Sequence, residues 1–427
     1  MKPLSKETLS AALKTEKINI SKIDLKTYFE NVGHGEYQRE NFDSFLKKVG
    51  FSYNVPSIHI AGSNGKGSTA NYLANIYRAQ GYKVGLFTSP YLEVVNEMIN
   101  VNGQNISDDE MLAILNEYAK TIDKFALSPF EIQTFIGLTY FAKNKCDIAI
   151  IECGMGGEID ATNIFTPIAS VITSISLEHT AFLGRSICEI AYQKAGIIKK
   201  GVPVITGMLD EEAINTIVEV SKENECQLSV SVEPAKVVYE NKGFNFAYGT
   251  LADLRINSAA TYSLKDACIA LEVINKLNES FPVSEQSIRE GLANTYMPVR
   301  MEILQDSPLL VVDGSHNPEG MLNLTKSLQN VTQNREIHVL FACFKDKNLE
   351  RMLAYIGEYS KDITLTTFPH ERARTEEDYF LYLDDYKFKE NALETLHELL
   401  TNYPEDAILV TGSLAFAAYI KQNLKRG

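Results

Sequence analysis

The chain has 427 residues, 45% hydrophobic and 22% charged, with a formal net charge of −14. That length carries two or three domains, and the composition is that of a globular protein with ample core. The acidic balance argues against nucleic acid and anionic membrane as partners, while leaving room for local Lys, Arg and loop N–H groups to bind small anions.

The six cysteines form no C-x-x-C pair, and several lie in apolar runs, so no zinc site or disulfide framework is expected. The first residues, "MKPLSKETLSAALKTEK", lack an apolar leader core, and no apolar run is long enough to span a bilayer. The expected setting is the cytoplasm.

In chain order, "SIHIA" (57–61) reads as a short buried strand. A helix from Ser68 to Gln80 ends at Gly81, and "KVGLF" (83–87) is the next strand. Helical patterns follow at 108–122 and 131–144, then the apolar strands "DIAIIE" (147–152) and "IASVITSI" (168–175). A helix at 186–195 leads to "VPVITG" (202–207). Strands alternating with helices predict a parallel, doubly wound sheet. Residues 230–260 are poor in helix signals; alternation in "FNFAYG" and "ADLRINS" fits a small antiparallel excursion. Helices at 263–277 and in "SEQSIREGLAN" precede a break at Pro298. The pattern restarts with "PLLVVDGSHNPEG", followed by strands at 336–342, 362–367 and 406–412. The expected fold is α/β in two domains. Residues 1–296 form an N-terminal P-loop ATPase-like doubly wound sheet, and 297–427 a smaller Rossmann-like α/β domain.

Between strand 57–61 and its helix lies Gly62-Ser63-Asn64-Gly65-Lys66-Gly67-Ser68. A glycine-rich turn entering a helix aims backbone N–H groups at an anion, and Lys66 can then sit against the β- and γ-phosphates of a nucleotide. In the common phosphate loop a hydroxyl residue follows the lysine and ligates magnesium. Here Gly67 takes that place, so oxygen ligands must come from Ser68 or from neighbouring strand ends. Three residues stand at such ends. Ser89 is a ligand or a turn cap. His179 is a ligand or a satisfied surface histidine. Glu152 is an acid at the end of an apolar strand, poorly solvated without a cation or donor. Asp160 and Asn163 follow a glycine pair that lets backbone approach a substrate, or they form an ordinary turn. Lys194, at an apolar helix end, either snorkels or offers an amine of lowered pKa. Asp313 ends the strand "LLVV" and is followed by Gly314, His316 and Asn317, a setting for a ribose-hydroxyl acceptor.

"HIAGSNGKGS", "TSPYL", "IIECGMGGEIDATN", "LEHTAFLG", "QKAGIIKKGVPVITG", "MPVRME", "VVDGSHNPEG", "FKDKN" and "VTGSLAFAA" occur in that order over residues 30–420. The set resembles the folylpolyglutamate synthase and dihydrofolate synthase family of the Mur ligase superfamily. The resemblance implies an N-terminal ATPase domain, a C-terminal α/β domain and an active site in the cleft between them. The reaction it implies is ATP-dependent addition of L-glutamate to reduced folates or dihydropteroate through an acyl phosphate. It assigns the triphosphate to Gly62, Asn64, Gly65, Lys66, Gly67 and Ser68, with Arg300 on the phosphates and Asp313 beside the nucleotide. Of two Mg²⁺ sites, Ser89 and Glu152 hold the first, and His179 and a carbamylated Lys194 the second. Lys66, Lys194 and His316 are the implied catalytic residues. Phe130, Asp160, Ala161, His316 and Ser413 are the implied substrate contacts, and the chain is expected to be a monomer.

Two positions depart from the family pattern. The run usually H-Q-x-x-N-A is Tyr262-Ser263-Leu264-Lys265-Asp266-Ala267, and the usual P-G-R is Pro298-Val299-Arg300. A carboxylate at Asp266 repels phosphate or demands a new partner. A dedicated polyglutamate synthase, a non-catalytic nucleotide-binding homologue and a peptidoglycan-type Mur ligase are the alternatives.

Overall fold

The computed structural model describes residues 25–32, 39–360 and 362–424. The N-terminal run Met1–Lys17, read above for a leader, lies outside the described residues. No helix among the described residues is long and apolar enough to cross a membrane.

The chain divides into two compact units. One comprises residues up to Ser231 together with Ile269–Gly291; the other comprises Val232–Cys268 and the chain from Leu292 onward. The antiparallel excursion near 230–260, which the sequence places ahead of a boundary at 296, groups here with the second unit.

The first unit is built on an eight-stranded sheet. Its strands are β1 (Ser57–Ala61), β2 (Val84–Phe87), β3 (Ile99–Val101), β4 (Gln104–Asn105), β5 (Ile148–Glu152), β6 (Ala169–Ile172), β7 (Val204–Thr206) and β8 (Leu228–Val230). They lie in the order β4-β3-β2-β5-β1-β6-β7-β8. The six strands from β2 to β8 in this order are parallel, and β3 and β4 add an antiparallel hairpin at one edge. Every residue of β1 and β5 is buried, as parallel strands covered on both faces require. β1 sits between β5 and β6 with Ile60 level with Glu152 and Ala61 level with Ile172. This register sets the loops after three adjacent strands side by side, where ligands collect in open α/β sheets.

Helix Lys66–Ala79 starts two residues earlier than its apolar pattern suggests. Lys66 is therefore its first residue rather than part of a preceding loop. β6 ends at Ile172, shorter than the apolar run 168–175. Beyond it, Thr173, Ser174 and Ser176 hydrogen-bond with the phosphate loop, as described below.

The second unit holds two sheets. β9 (Ala235–Glu240), β10 (Gly243–Tyr248) and β11 (Leu251–Ile256) make the antiparallel excursion. β12 (Glu302–Asp306), β13 (Leu309–Val312), β14 (Ile337–Phe341), β15 (Asp362–Thr367), β16 (Lys387–Asn391) and β17 (Ala407–Thr411) form the larger sheet, in the order β12-β13-β17-β14-β15-β16. Only β12 runs antiparallel to its neighbour. The Asp313–Asn317 loop follows β13, and helix Leu414–Leu424 follows its sheet neighbour β17.

Candidate active site

In the first unit the loop after β1 is stitched to the segment after β6. Ser63 N–H donates to Ser174 O (2.8 Å), Asn64 N–H to Ser174 Oγ (2.9 Å), and Ser176 N–H to Ser63 Oγ (2.9 Å). Thr173 Oγ1 donates back to Asn64 O (2.6 Å). The fit leaves no room at Gly62, where a Cβ would come within 1.9 Å of Thr173 Oγ1. Gly65 is left-handed (φ 84°) and precedes the helix without a side-chain cap. A helix start of this kind directs backbone N–H groups and the positive dipole end at an anion. The Lys66 ammonium donates to Gly62 O (2.9 Å) and Ser63 O (3.3 Å), so it lies over its own loop.

A side chain at the position after the lysine would press on a carboxylate. A Cβ at Gly67 would lie 3.2 Å from Glu152 Oε2. The carboxylate, 4% exposed at the end of β5, stands where a side chain at position 67 would point. It also accepts the Ser89 N–H (3.0 Å). Lys66, Gly67, Ser89 and Glu152 are thus gathered at three strand ends.

A second group lies beside them. Lys194, 1% exposed, donates to Glu178 Oε1 at 2.9 Å. Burial opposes the Glu178 charge, but the Lys194 and Lys66 ammonium groups outweigh it and hold the carboxyl at a pKa of about 2. Burial, helped by the Lys66 charge, lowers the Lys194 pKa below that of a surface lysine against the pull of Glu178. Next to Glu178, His179 is exposed and left-handed (φ 46°) at the start of a short helical turn.

The residues expected on the substrate side behave differently. The Asp160 carboxylate is buried and accepts from Met155 N–H (2.8 Å), Thr162 N–H (2.9 Å) and Thr162 Oγ1 (2.5 Å). Ala161 is packed in the core. These two shape the loop after β5 rather than present side chains to solvent. Arg39 reinforces that loop by donating to Asp160 O (2.8 Å) and Asn163 O (2.9 Å). Phe130 is half-buried with its ring on Gly154, where a Cβ would meet Phe130 Cζ at 2.6 Å. His59, inside β1, joins the network: its Nε2 lies 2.8 Å from Thr162 Oγ1 and 3.1 Å from Cys153 Sγ. Burial, aided by Lys199, pushes its pKa down to about 3, so it is neutral. A histidine in an otherwise apolar strand was the available signal for this link.

Asp160→Asn turns an amide N–H₂ toward donors. The expected cost is about 1–3 kcal/mol, the penalty of leaving a buried polar group unpaired. It is read as an earlier denaturant unfolding transition; an unchanged transition contradicts the network.

In the second unit the Asp313 carboxylate, 0% exposed, accepts from Tyr262 O–H (2.5 Å), Met301 N–H (2.8 Å) and Ser315 N–H (2.8 Å). It braces the turn that carries Arg300 and its own loop; at this burial it does not face solvent as a hydroxyl acceptor does. The Arg300 guanidinium lies over Gly314, where a Cβ would meet Nη1 at 2.7 Å and Leu414 Cδ1 at 2.5 Å. Ser413 is buried immediately before Leu414, so it borders the same loop. His316 is partly buried with Nδ1 3.0 Å from Gly314 O. Asn317 caps helix Pro318–Thr332 through Gly320 N–H (2.7 Å). Tyr262, noted in the sequence only as a departure from H-Q-x-x-N-A, proves to be a support of Asp313. Asp266 is buried one helical turn further on.

A nucleotide-type phosphate loop on one α/β unit, followed by a second α/β unit, is the arrangement of the Mur ligases. Residues 60–271 match the Mur ligase middle domain, and residues 299–414 match the Mur ligase glutamate ligase domain. Folylpolyglutamate synthase of Lacticaseibacillus casei is 32% identical over 386 residues, covering 87% of this chain and 90% of the relative. Dihydrofolate synthase/folylpolyglutamate synthase of Bacillus subtilis is 32% identical over 402 residues, covering 87% and 91%. Among solved structures, E. coli FolC in complex with ADP superposes with a TM-score of 0.85 at 28% identity, covering 94% of this chain and 97% of that one. The chain belongs to the folylpolyglutamate synthase/dihydrofolate synthase family of the Mur ligase superfamily.

Proposed function

We propose that this chain is an ATP-dependent ligase that joins L-glutamate to folates, and that it accepts both dihydropteroate and reduced folate monoglutamates. The observation that carries the ligase reading is the phosphate loop with Glu152 packed against Gly67. Family membership and the ADP complex of a structural relative support ATP as the nucleotide.

In this reading the Lys66 ammonium exchanges its two loop carbonyls for the β- and γ-phosphate oxygens of ATP. Arg300 neutralises further phosphate charge. The folate-side carboxylate attacks the γ-phosphorus, ADP leaves, and an acyl phosphate forms. The glutamate amine then attacks the acyl carbon, and inorganic phosphate departs as the amide forms. Negative charge builds in both steps, and fixed cations and N–H dipoles stabilise it without reorganising. Phe130 and the loop braced by Asp160 shape the pterin side, and His316 and Ser413 border the transfer site.

The donor set fits magnesium. Glu152 is a buried carboxylate beside Ser89, with the neighbouring position bare of a Cβ. These residues would hold a first ion. Carbamylation of Lys194 would set a second anion next to Glu178, a pairing that needs a cation, with His179 adjacent. When bound, magnesium supplies charge neutralisation for the transferred phosphoryl group.

The reading is tested by phosphate release from ATP, Mg²⁺ and L-glutamate, with dihydropteroate in one reaction and a reduced folate monoglutamate in the other. Release in both is expected. Release with the folate alone makes the chain a dedicated polyglutamate synthase. Silence in both, from folded protein, favours a nucleotide-binding homologue.

A further inference from the structure

Arg300 is flanked by two residues in the left-handed region, Val299 (φ 52°) and Met301 (φ 45°). A β-branched side chain rarely adopts this conformation, and it persists only where the surroundings over-determine it. Two sets of restraints do so. Asp313 holds the Met301 N–H (2.8 Å), and Val299 O accepts the Gly314 N–H (2.8 Å). On the other side of Arg300, Glu302 Oε2 accepts the Val299 N–H (2.8 Å).

Glu302 is itself fixed from the far end of the chain. Lys421 Nζ, in helix Leu414–Leu424, donates to both Glu302 oxygens (2.7 and 2.8 Å) and to the Tyr296 hydroxyl (2.6 Å). Tyr296 also donates to Glu302. The Lys421 and Glu302 side chains are only 9% and 12% exposed, which sets this pair apart from surface bridges of little worth. The same helix touches the loop at its other end, because Leu414 packs over Gly314 beside the Arg300 guanidinium. Leu414 and Lys421 are seven residues apart, two helical turns, and so lie on one face. One rigid helix thus supports Arg300 both through its backbone and beside its side chain.

We propose that Lys421, acting through Glu302, is a positioning residue that holds the Arg300 turn in its left-handed form and so sets the guanidinium for the phosphates of ATP. This rests on the nucleotide role of Arg300 given above. Neither Lys421 nor Glu302 need touch a substrate. Their effect passes through the Val299 N–H.

The test measures kcat, KM for ATP and KM for glutamate, with the melting temperature of each protein. The variants are Lys421→Met, Lys421→Arg, the double variant Lys421→Met/Glu302→Gln, and Arg300→Lys. Lys421→Met is expected to raise KM for ATP roughly tenfold, as small misplacements of binding groups do, and to leave KM for glutamate within about twofold. Lys421→Arg restores most of the loss, because a guanidinium grips a carboxylate through two bonds. The double variant removes both buried charges, so it folds even if Lys421→Met does not; without the ammonium the amide at position 302 is no longer fixed on the Val299 N–H, so its KM for ATP stays raised. The proposal is overturned if Lys421→Met, or the double variant, keeps the original KM for ATP while Arg300→Lys raises it. It is equally overturned if both KM values and the melting temperature move together and all recover in the double variant. If Arg300→Lys leaves KM for ATP unchanged, the nucleotide role of Arg300 fails first and the positioning role with it.

Discussion

Lys66→Ala is expected to lower ATP-dependent turnover by a factor on the order of a thousand, the scale seen when one fixed donor to a developing charge is removed. The variant is informative because its structural cost is small. Lys66 opens a helix, and alanine is the best helix former, so the loop-to-helix junction survives. The lost bonds go to Gly62 O and Ser63 O, while the stitches from Ser63 and Asn64 to the segment after β6 are untouched. A cooperative melting transition, lowered only by the lost Lys66 charge beside Glu178, with near-absent ADP formation is the expected pair of results. Full turnover from the variant would remove the phosphate loop from the mechanism.

Lys194→Ala is expected to cost at least about a hundredfold in turnover and to regain part of it when acetate or propionate is added, because a small carboxylate can stand where a carbamate would. Full activity without additive rules that role out. The substitution has a separate signature in acid. Burial alone would raise the Glu178 pKa, yet the Lys194 and Lys66 charges bring it to about 2. A carboxyl depressed in the folded state stabilises fully above its unfolded pKa of about 4.3, and that contribution is lost as pH falls through the folded value. The protein with Lys194 as the free ammonium, before carbamylation, should therefore lose stability between about pH 4 and pH 2 from this pair. Without Lys194 the loss is smaller, and acid denaturation monitored by circular dichroism reads the difference.

The sequence made the first unit legible where chemistry and periodicity coincide. β1, the glycine loop and its helix announce themselves because the glycines serve close approach: Gly62 meets Thr173 and Gly67 meets Glu152. β5 and β13 stand out as apolar runs. The hairpin β3–β4 went unread although its turn, Asn102-Gly103, carries the strongest short hairpin signal; both residues are left-handed (φ 53° and 86°). Its strands are too short to show alternation. β12, "EILQD", is a half-exposed antiparallel edge strand and lacks the apolar run of the buried ones. Asp160, after a glycine pair, and Asp313, at a strand end, are visible in the sequence, but the direction of their carboxylates is not. Periodicity places a carboxylate at a strand end; it does not tell whether backbone N–H groups or a ligand receive it. Tyr262 could not be read at all, since its partner Asp313 lies 51 residues away.

The close approach of Gly67 to Glu152 couples two distant positions of the chain. A single change, Gly67→Ser, would recreate the residue order of the common phosphate loop, and serine is a small step from glycine. Here that step presses a Cβ to 3.2 Å from a carboxylate that Ser89 N–H holds in place. The two positions are coupled: a side chain at 67 requires the Glu152 carboxylate to give by a few tenths of an ångström, and that carboxylate is tied to the Ser89 N–H. A change at either of these two positions is therefore felt at the other, although they lie 85 residues apart in the chain.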